Sequence, residues 1–146
     1  MTFETPTDLS NNRGLIADPA RFARERSAAS WLYLNGEEFA SMEGGMSYDD
    51  VQAAVAASAN VISDPPREMT MALARQHVAA LDALPRPTVV TCRRGPRSSA
   101  VIYLYAGLQQ GATADEVLAQ AERDDAAFLA DDSLKEWVAQ GLTELA

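Results

Sequence analysis

Strand-like and helix-like segments alternate along this chain from Trp31 to Gln110, an order that calls for repeated βαβ units. Trp31-Leu-Tyr-Leu34 is a compact, aromatic-rich apolar run ended by Asn35-Gly36, as expected of a buried strand. A loop with Gly44-Gly45 follows, and Ser47-Tyr-Asp-Asp50 opens a helix with Val51, Ala54, Val55 and Ala59 on its apolar face. Asn60-Val-Ile-Ser63 is short enough for a strand and is stopped by Asp64-Pro65-Pro66. Leu73, Val78, Leu81 and Leu84 form the stripe of a helix over about 70–84, which Pro85 and Pro87 close. Pro87-Thr-Val-Val-Thr91 is the clearest strand, and a helix from about 98 to 110 follows, with Gly111 as its C-cap. The expected fold class is α/β, with a short, mostly parallel central sheet flanked by helices on both faces. Ligands of such sheets bind beyond the carboxyl ends of the strands.

The flanking segments are less regular. Residues 1–13 are polar and turn-rich, Gly14-Leu-Ile-Ala17 has the character of a short strand, and Asp18-Pro19 starts a helix. Thr113-Ala-Asp-Glu116 is a capping box opening a helix to about 123. Ser133-Leu-Lys-Glu136 opens a last helix carrying Leu134, Trp137, Val138, Leu142 and Leu145. The expected organisation is a partly irregular N-terminal extension over 1–30 and one catalytic α/β domain over 31–146.

Composition narrows the partners. The formal net charge of -9 argues against nucleic acid and anionic membrane. No apolar run approaches the ~20 residues that span a bilayer. The first residues lack a basic start followed by an apolar stretch, so no secretory signal is expected and the cytoplasm is the expected location. One cysteine forms no internal disulfide, and no His/Cys cluster suggests a metal. Neither metal nor cofactor is expected, and the sequence leaves the oligomeric state open.

That cysteine, Cys92, stands at the end of the best strand, and Arg93, Arg94 and Arg97 follow it before the next helix. A thiol among backbone amides and cations at a helix N-terminus is favoured as the thiolate, a nucleophile. The same groups hold anions, so residues 93–98 form a candidate anion-binding loop. Within it Gly95 permits backbone angles that other residues resist, and Pro96 contributes no N–H. Arg97 is the candidate bidentate clamp for two anion oxygens, and Ser98 can cap the helix or donate to the cysteine sulfur. Arg93 and Arg94 are equally consistent with pointing to solvent, and a lone cysteine is more often a small buried residue than a nucleophile. Asp64, after the preceding strand, is a candidate general acid or a turn residue before prolines. His77 falls on the Leu73/Leu81 face and is expected in the core or at its border.

The run Val89-Val-Thr-Cys-Arg-Arg-Gly-Pro-Arg-Ser-Ser99 resembles the active loop of the beta-lactamase-hydrolase-like phosphatase-like domain family, relatives of dual-specificity phosphatases. The resemblance extends over about 30–125 and is strongest over 60–123, including Met69-Thr, Leu81-Asp-Ala-Leu-Pro and Thr113-Ala-Asp-Glu-Val-Leu. It implies a three-layer phosphatase-like fold with Cys92 as nucleophile, Arg97 as anion clamp and Asp64 in the place of a catalytic aspartate.

Two differences bear on the chemistry. Most cysteine phosphatases have His before the cysteine and five residues between Cys and Arg; here there are Thr91 and four, as in the single-domain rhodaneses. Removing one residue contracts the loop toward a single sulfur atom. The sequence therefore points first to a sulfurtransferase moving sulfane sulfur through a Cys92 persulfide, with thiosulfate or a persulfide as donor. The alternative is a cysteine-dependent phosphatase acting on a phosphate ester or phosphoprotein through a phosphocysteine intermediate. A third option is an inactive anion-binding module that keeps the loop without turnover.

Overall fold

The computed structural model describes residues 3–146 and has four parallel strands in the order β1-β4-β2-β3. The strands are β1 (Leu9–Asn11), β2 (Ser30–Tyr33), β3 (Ala57–Asn60) and β4 (Thr88–Thr91). Helices α1 (Pro19–Glu25), α2 (Tyr48–Ala54), α3 (Met71–Ala83), α4 (Pro96–Gln110), α5 (Ala114–Arg123) and α6 (Asp132–Glu144) surround them.

Period-two alternation divides the strands between two cores. Trp31 and Tyr33 of β2 and Val89 of β4 face one side, where Phe22 of α1 and Val51 of α2 meet them. Leu32, Leu34, Val90 and Cys92 face the other, against α3, α4, α5 and α6. The result is three layers, as expected, with the sheet in the middle.

Helix α4 lies at the centre of the larger core, and its residues Ser98 to Gly107 are all buried. It carries no polar face because α3, α5, α6 and the sheet surround it. Two glycines let α4 and α6 approach closely: Gly107 sits against Leu142, and Gly141 against Leu104. At Thr88–Thr91 the sheet is buried on both faces, which explains why this strand carries no charged residue and no exposed side.

Several elements differ from the sequence expectation. The segment 9–11, placed in an irregular extension, is β1 and pairs with β4 from Leu9↔Thr88 to Asn11↔Val90. Gly14-Leu-Ile-Ala17 forms no strand. A three-residue edge strand with one buried apolar residue, Leu9, leaves almost no periodic signal. Strand β3 ends at Asn60 instead of beginning there. The cap of α6 is Asp131, whose carboxylate accepts from the N–H groups of Ser133 and Leu134. Helix α4 starts at Pro96, two residues before the expected Ser98, because proline suits the first helical position. No helix among the described residues is long and apolar enough to cross a membrane.

Candidate active site

All four strands point their carboxyl ends the same way, and each contributes a polar segment to that edge: Asn12 after β1, Cys92 after β4, Asn35-Gly36 after β2 and Ser63-Asp64 after β3.

The Cys92 sulfur is buried and receives two backbone donors, Gly95 N–H at 3.1 Å and Ser98 N–H at 3.4 Å. The turn between them requires Gly95 at φ +120°, a conformation that strains any residue with a side chain. A Cβ there would also strike the carbonyl oxygen of Asn12. The Ser98 hydroxyl lies 3.5 Å from the sulfur but only 3.0 Å from the Gly95 carbonyl. With a single proton to give, it serves the loop backbone ahead of the thiol.

Asn12 fastens this loop to the rest of the sheet. Its amide nitrogen donates to the carbonyls of Cys92 at 2.9 Å and Gly14 at 3.0 Å, and its oxygen accepts from Cys92 N–H at 3.3 Å. Gly14 N–H adds a bond to the Arg94 carbonyl at 2.8 Å. Sequence reasoning missed this residue, since Asn11-Asn12-Arg13-Gly14 reads locally as a turn and its partners lie some 80 residues away. Thr91, in the position where most cysteine phosphatases have His, accepts from the Trp31 indole N–H at 2.8 Å.

The arginines take unexpected places. Because α4 begins at Pro96, Arg97 belongs to the first helical turn. Its guanidinium donates to the carbonyls of Ser63 and, at 2.8 Å, of Arg67. Burial lowers its pKa, against the opposing attraction of Cys92, Asp64 and Asp131. Arg93, which the sequence left between site and solvent, reaches Asp64 through Nε at 2.9 Å and also holds the Pro65 carbonyl at 2.8 Å. Arg94 is exposed.

Asp64 is fully buried and accepts from Gly36 N–H at 2.9 Å, Arg67 at 2.8 Å and Arg93. A carboxylate in this setting is an acceptor on every side. Arg67, absent from the sequence-based candidates, also bridges to Glu38 at 3.0 Å. Segment 63–67 thus collects three guanidinium groups, those of Arg67, Arg93 and Arg97, around one carboxylate.

His77 is buried, as expected, with Nε2 2.7 Å from the Ser63 hydroxyl. That hydroxyl donates to the Val61 carbonyl at 2.8 Å, so the imidazole is the donor to Ser63 and carries its proton on Nε2. Burial lowers the His77 pKa to about 4. The ring therefore braces, through Ser63, the carbonyl that holds Arg97. Among the described residues no group of three or more His, Cys, Asp or Glu side chains gathers to hold a metal.

The same chain path occurs in solved structures. A phosphatase candidate from Neisseria meningitidis Z2491 matches with TM-score 0.69 and 12% identity over 96% of this chain and 97% of its own. The core catalytic domain of the PP-IP phosphatase SIW14 from S. cerevisiae, in complex with citrate, matches with TM-score 0.62 and 12% identity, covering 92% and 81%. PTPMT1 matches with TM-score 0.63 and 14% identity over 99% of this chain and 96% of its own. The fold is phosphatase-like. None of these three is described as a sulfurtransferase, so the expectation placed first from the sequence finds no support here. No protein-family profile matches the chain, and no curated protein sequence does.

Proposed function

We propose that this protein is a cysteine-dependent phosphatase acting on small phosphate esters or anhydrides whose leaving group departs as an anion. The observation that carries this reading is the Cys92 sulfur itself, held at the carboxyl end of β4 under two backbone N–H donors, within a phosphatase-like fold. Attack of the thiolate on phosphorus forms an S–P bond as the ester or anhydride P–O bond breaks. Water then cleaves the phosphocysteine, releasing inorganic phosphate and restoring the thiol. The positive charge of Arg97, which interacts with Cys92, favours the dianionic substrate and its transition state.

Asp64 bears on substrate choice. With Gly36, Arg67 and Arg93 all donating to it, we assign it the role of positioning the arginines, not of delivering a proton. A site without an acid at this position suits aryl phosphates, acyl phosphates and phosphoanhydrides, whose leaving groups need no protonation.

One observation favours sulfur transfer as a second reading. With four residues between Cys92 and Arg97 and α4 starting at Pro96, the two nearest amides aim at the sulfur. They would also support a persulfide. One assay separates the two, using p-nitrophenyl phosphate in parallel with thiosulfate plus a thiol acceptor, on wild type and Cys92→Ser. The phosphatase reading predicts phosphate release that disappears in Cys92→Ser, and no cyanolysable sulfur on the protein. Sulfur on Cys92 without phosphate release would establish the second reading; neither product would leave the anion-binding module.

A further inference from the structure

We propose that the hollow beside Arg97, between residues 65–69 and the start of α6, receives the leaving group of the substrate and selects by charge. It takes an aryl group that is neutral or positively charged over one that carries a further negative charge. The inference rests on the phosphatase reading. The hollow measures about 500 Å³, room for a single ring with a short substituent, and Pro65, Pro66, Met69 and Leu134 give it apolar surface.

Arg97 joins this hollow to the nucleophile. It lines the hollow, and its charge interacts with both Cys92 and Asp131. A substrate whose phosphoryl group meets the Cys92 sulfur under the Arg97 charge therefore has the hollow next to it for the group that departs.

The sign of the hollow follows from which of its charges are already engaged. Its cations are: Arg67 is held by Asp64 at 2.8 Å and Glu38 at 3.0 Å, and Arg97 donates to the carbonyls of Ser63 and Arg67. Its carboxylates are not. Glu68 and Asp131 both line it, both are exposed, and neither forms an ion pair among the described residues. Asp131 turns one oxygen, Oδ1, to the N–H groups of Ser133 and Leu134 and to the Ser133 hydroxyl at 2.6 Å, and Oδ2 stays outside these bonds. A leaving group with its own carboxylate or second phosphate meets two unpaired carboxylates and no guanidinium beyond Arg97, which the phosphoryl group itself uses. An ammonium or hydroxyl group meets acceptors instead.

The test uses the full chain and two substrates of equal size and like leaving-group acidity, para-aminoethyl phenyl phosphate and para-carboxyethyl phenyl phosphate, with kcat/KM read from phosphate release. Wild type is expected to prefer the ammonium substrate by about ten-fold or more. Asp131→Asn removes the charge and keeps a residue that caps a helix equally well, and it should cut that preference by about three-fold or more. Asp132→Asn, a neighbouring acid outside the hollow, should move the preference less, and Glu68→Gln should lower it even if Asp131→Asn fails to fold. Equal rates on the two substrates in wild type, a preference untouched by both Asp131→Asn and Glu68→Gln, or an equal shift in Asp132→Asn would overturn the selection, while hydrolysis that still needs Cys92 leaves the phosphatase reading in place. Absence of phosphate release from both substrates, or release that persists in Cys92→Ser, would overturn that reading and the selection with it.

Discussion

Two asparagines follow two parallel strands at the same edge of the sheet, each 1% exposed, and they are treated in opposite ways. Asn12, after β1, uses both ends of its carboxamide on the backbone of the cysteine loop and its neighbour Gly14. Asn35, after β2, fastens no backbone and has the Tyr33 hydroxyl beside it. The contrast teaches how this edge is divided. Around Cys92 the buried polar groups are satisfied within the chain, so the thiol stands in a preset loop. Around Asn35 the carboxamide is sealed beside the Tyr33 hydroxyl and fastens no backbone, so it serves packing and not the loop.

The comparison can be broken in several places, beginning with the largest effect. Replacing Cys92 by Ser should lower phosphatase turnover by a factor of roughly 10³ or more while leaving the melting temperature within a few degrees. Steady-state rates and thermal scans on the same sample check both halves. Unchanged turnover would mean that the preset loop serves no nucleophile.

Asp64→Asn attacks the other support of the same loop. It removes the charge that Arg67 and Arg93 share, and should destabilise the fold by about 2–4 kcal/mol, less than a fully buried pair because both arginines are partly open to solvent. Urea unfolding measures the loss. An Asp64→Asn enzyme that keeps its stability but loses only reactions with poor leaving groups would restore the general-acid role.

A pH series probes the brace behind Arg97. His77 titrates at 6.5 in its ordinary state and at about 4 when buried in the fold, so protons bind the unfolded chain in preference. Its contribution is complete above pH 6.5 and is lost as pH falls toward about 4, amounting to about 3 kcal/mol over that window. Unfolding midpoints should decline over this range in wild type and decline less in His77→Gln, since this is the only histidine. Identical pH profiles would remove His77 from the account.

Asn12→Ala removes the fastening between β1 and the cysteine loop. It strips buried partners from Cys92 and should cost about 2 kcal/mol, with turnover falling alongside. Unchanged stability and turnover in Asn12→Ala would mean that the loop does not depend on this carboxamide.

Much of this site is legible in the sequence, because its chemistry is compressed into one segment. The apolar run before Cys92, the glycine after it and the proline that starts α4 are local signals, and each forms the expected strand, turn or helix at most two residues from its expected place. The supports are illegible for a physical reason: they act across the sheet. Asn12 and Arg67 resemble ordinary turn and loop residues until β1 pairs with β4 and β3 ends beside β2. Arg97 shows the limit of reasoning from spacing. Helix α4 begins two residues ahead of the expected Ser98, and the Arg97 guanidinium donates to the carbonyls of Ser63 and Arg67.

The central claim is that Cys92 carries a phosphoryl group during turnover. Mixing the enzyme with p-nitrophenyl phosphate, quenching it rapidly under denaturing conditions and weighing the Cys92 peptide by mass spectrometry tests this directly. The account predicts a phosphoryl adduct on Cys92 that decays as inorganic phosphate appears. An unmodified peptide during phosphate release, or an adduct of sulfur alone after exposure to thiosulfate, would contradict it.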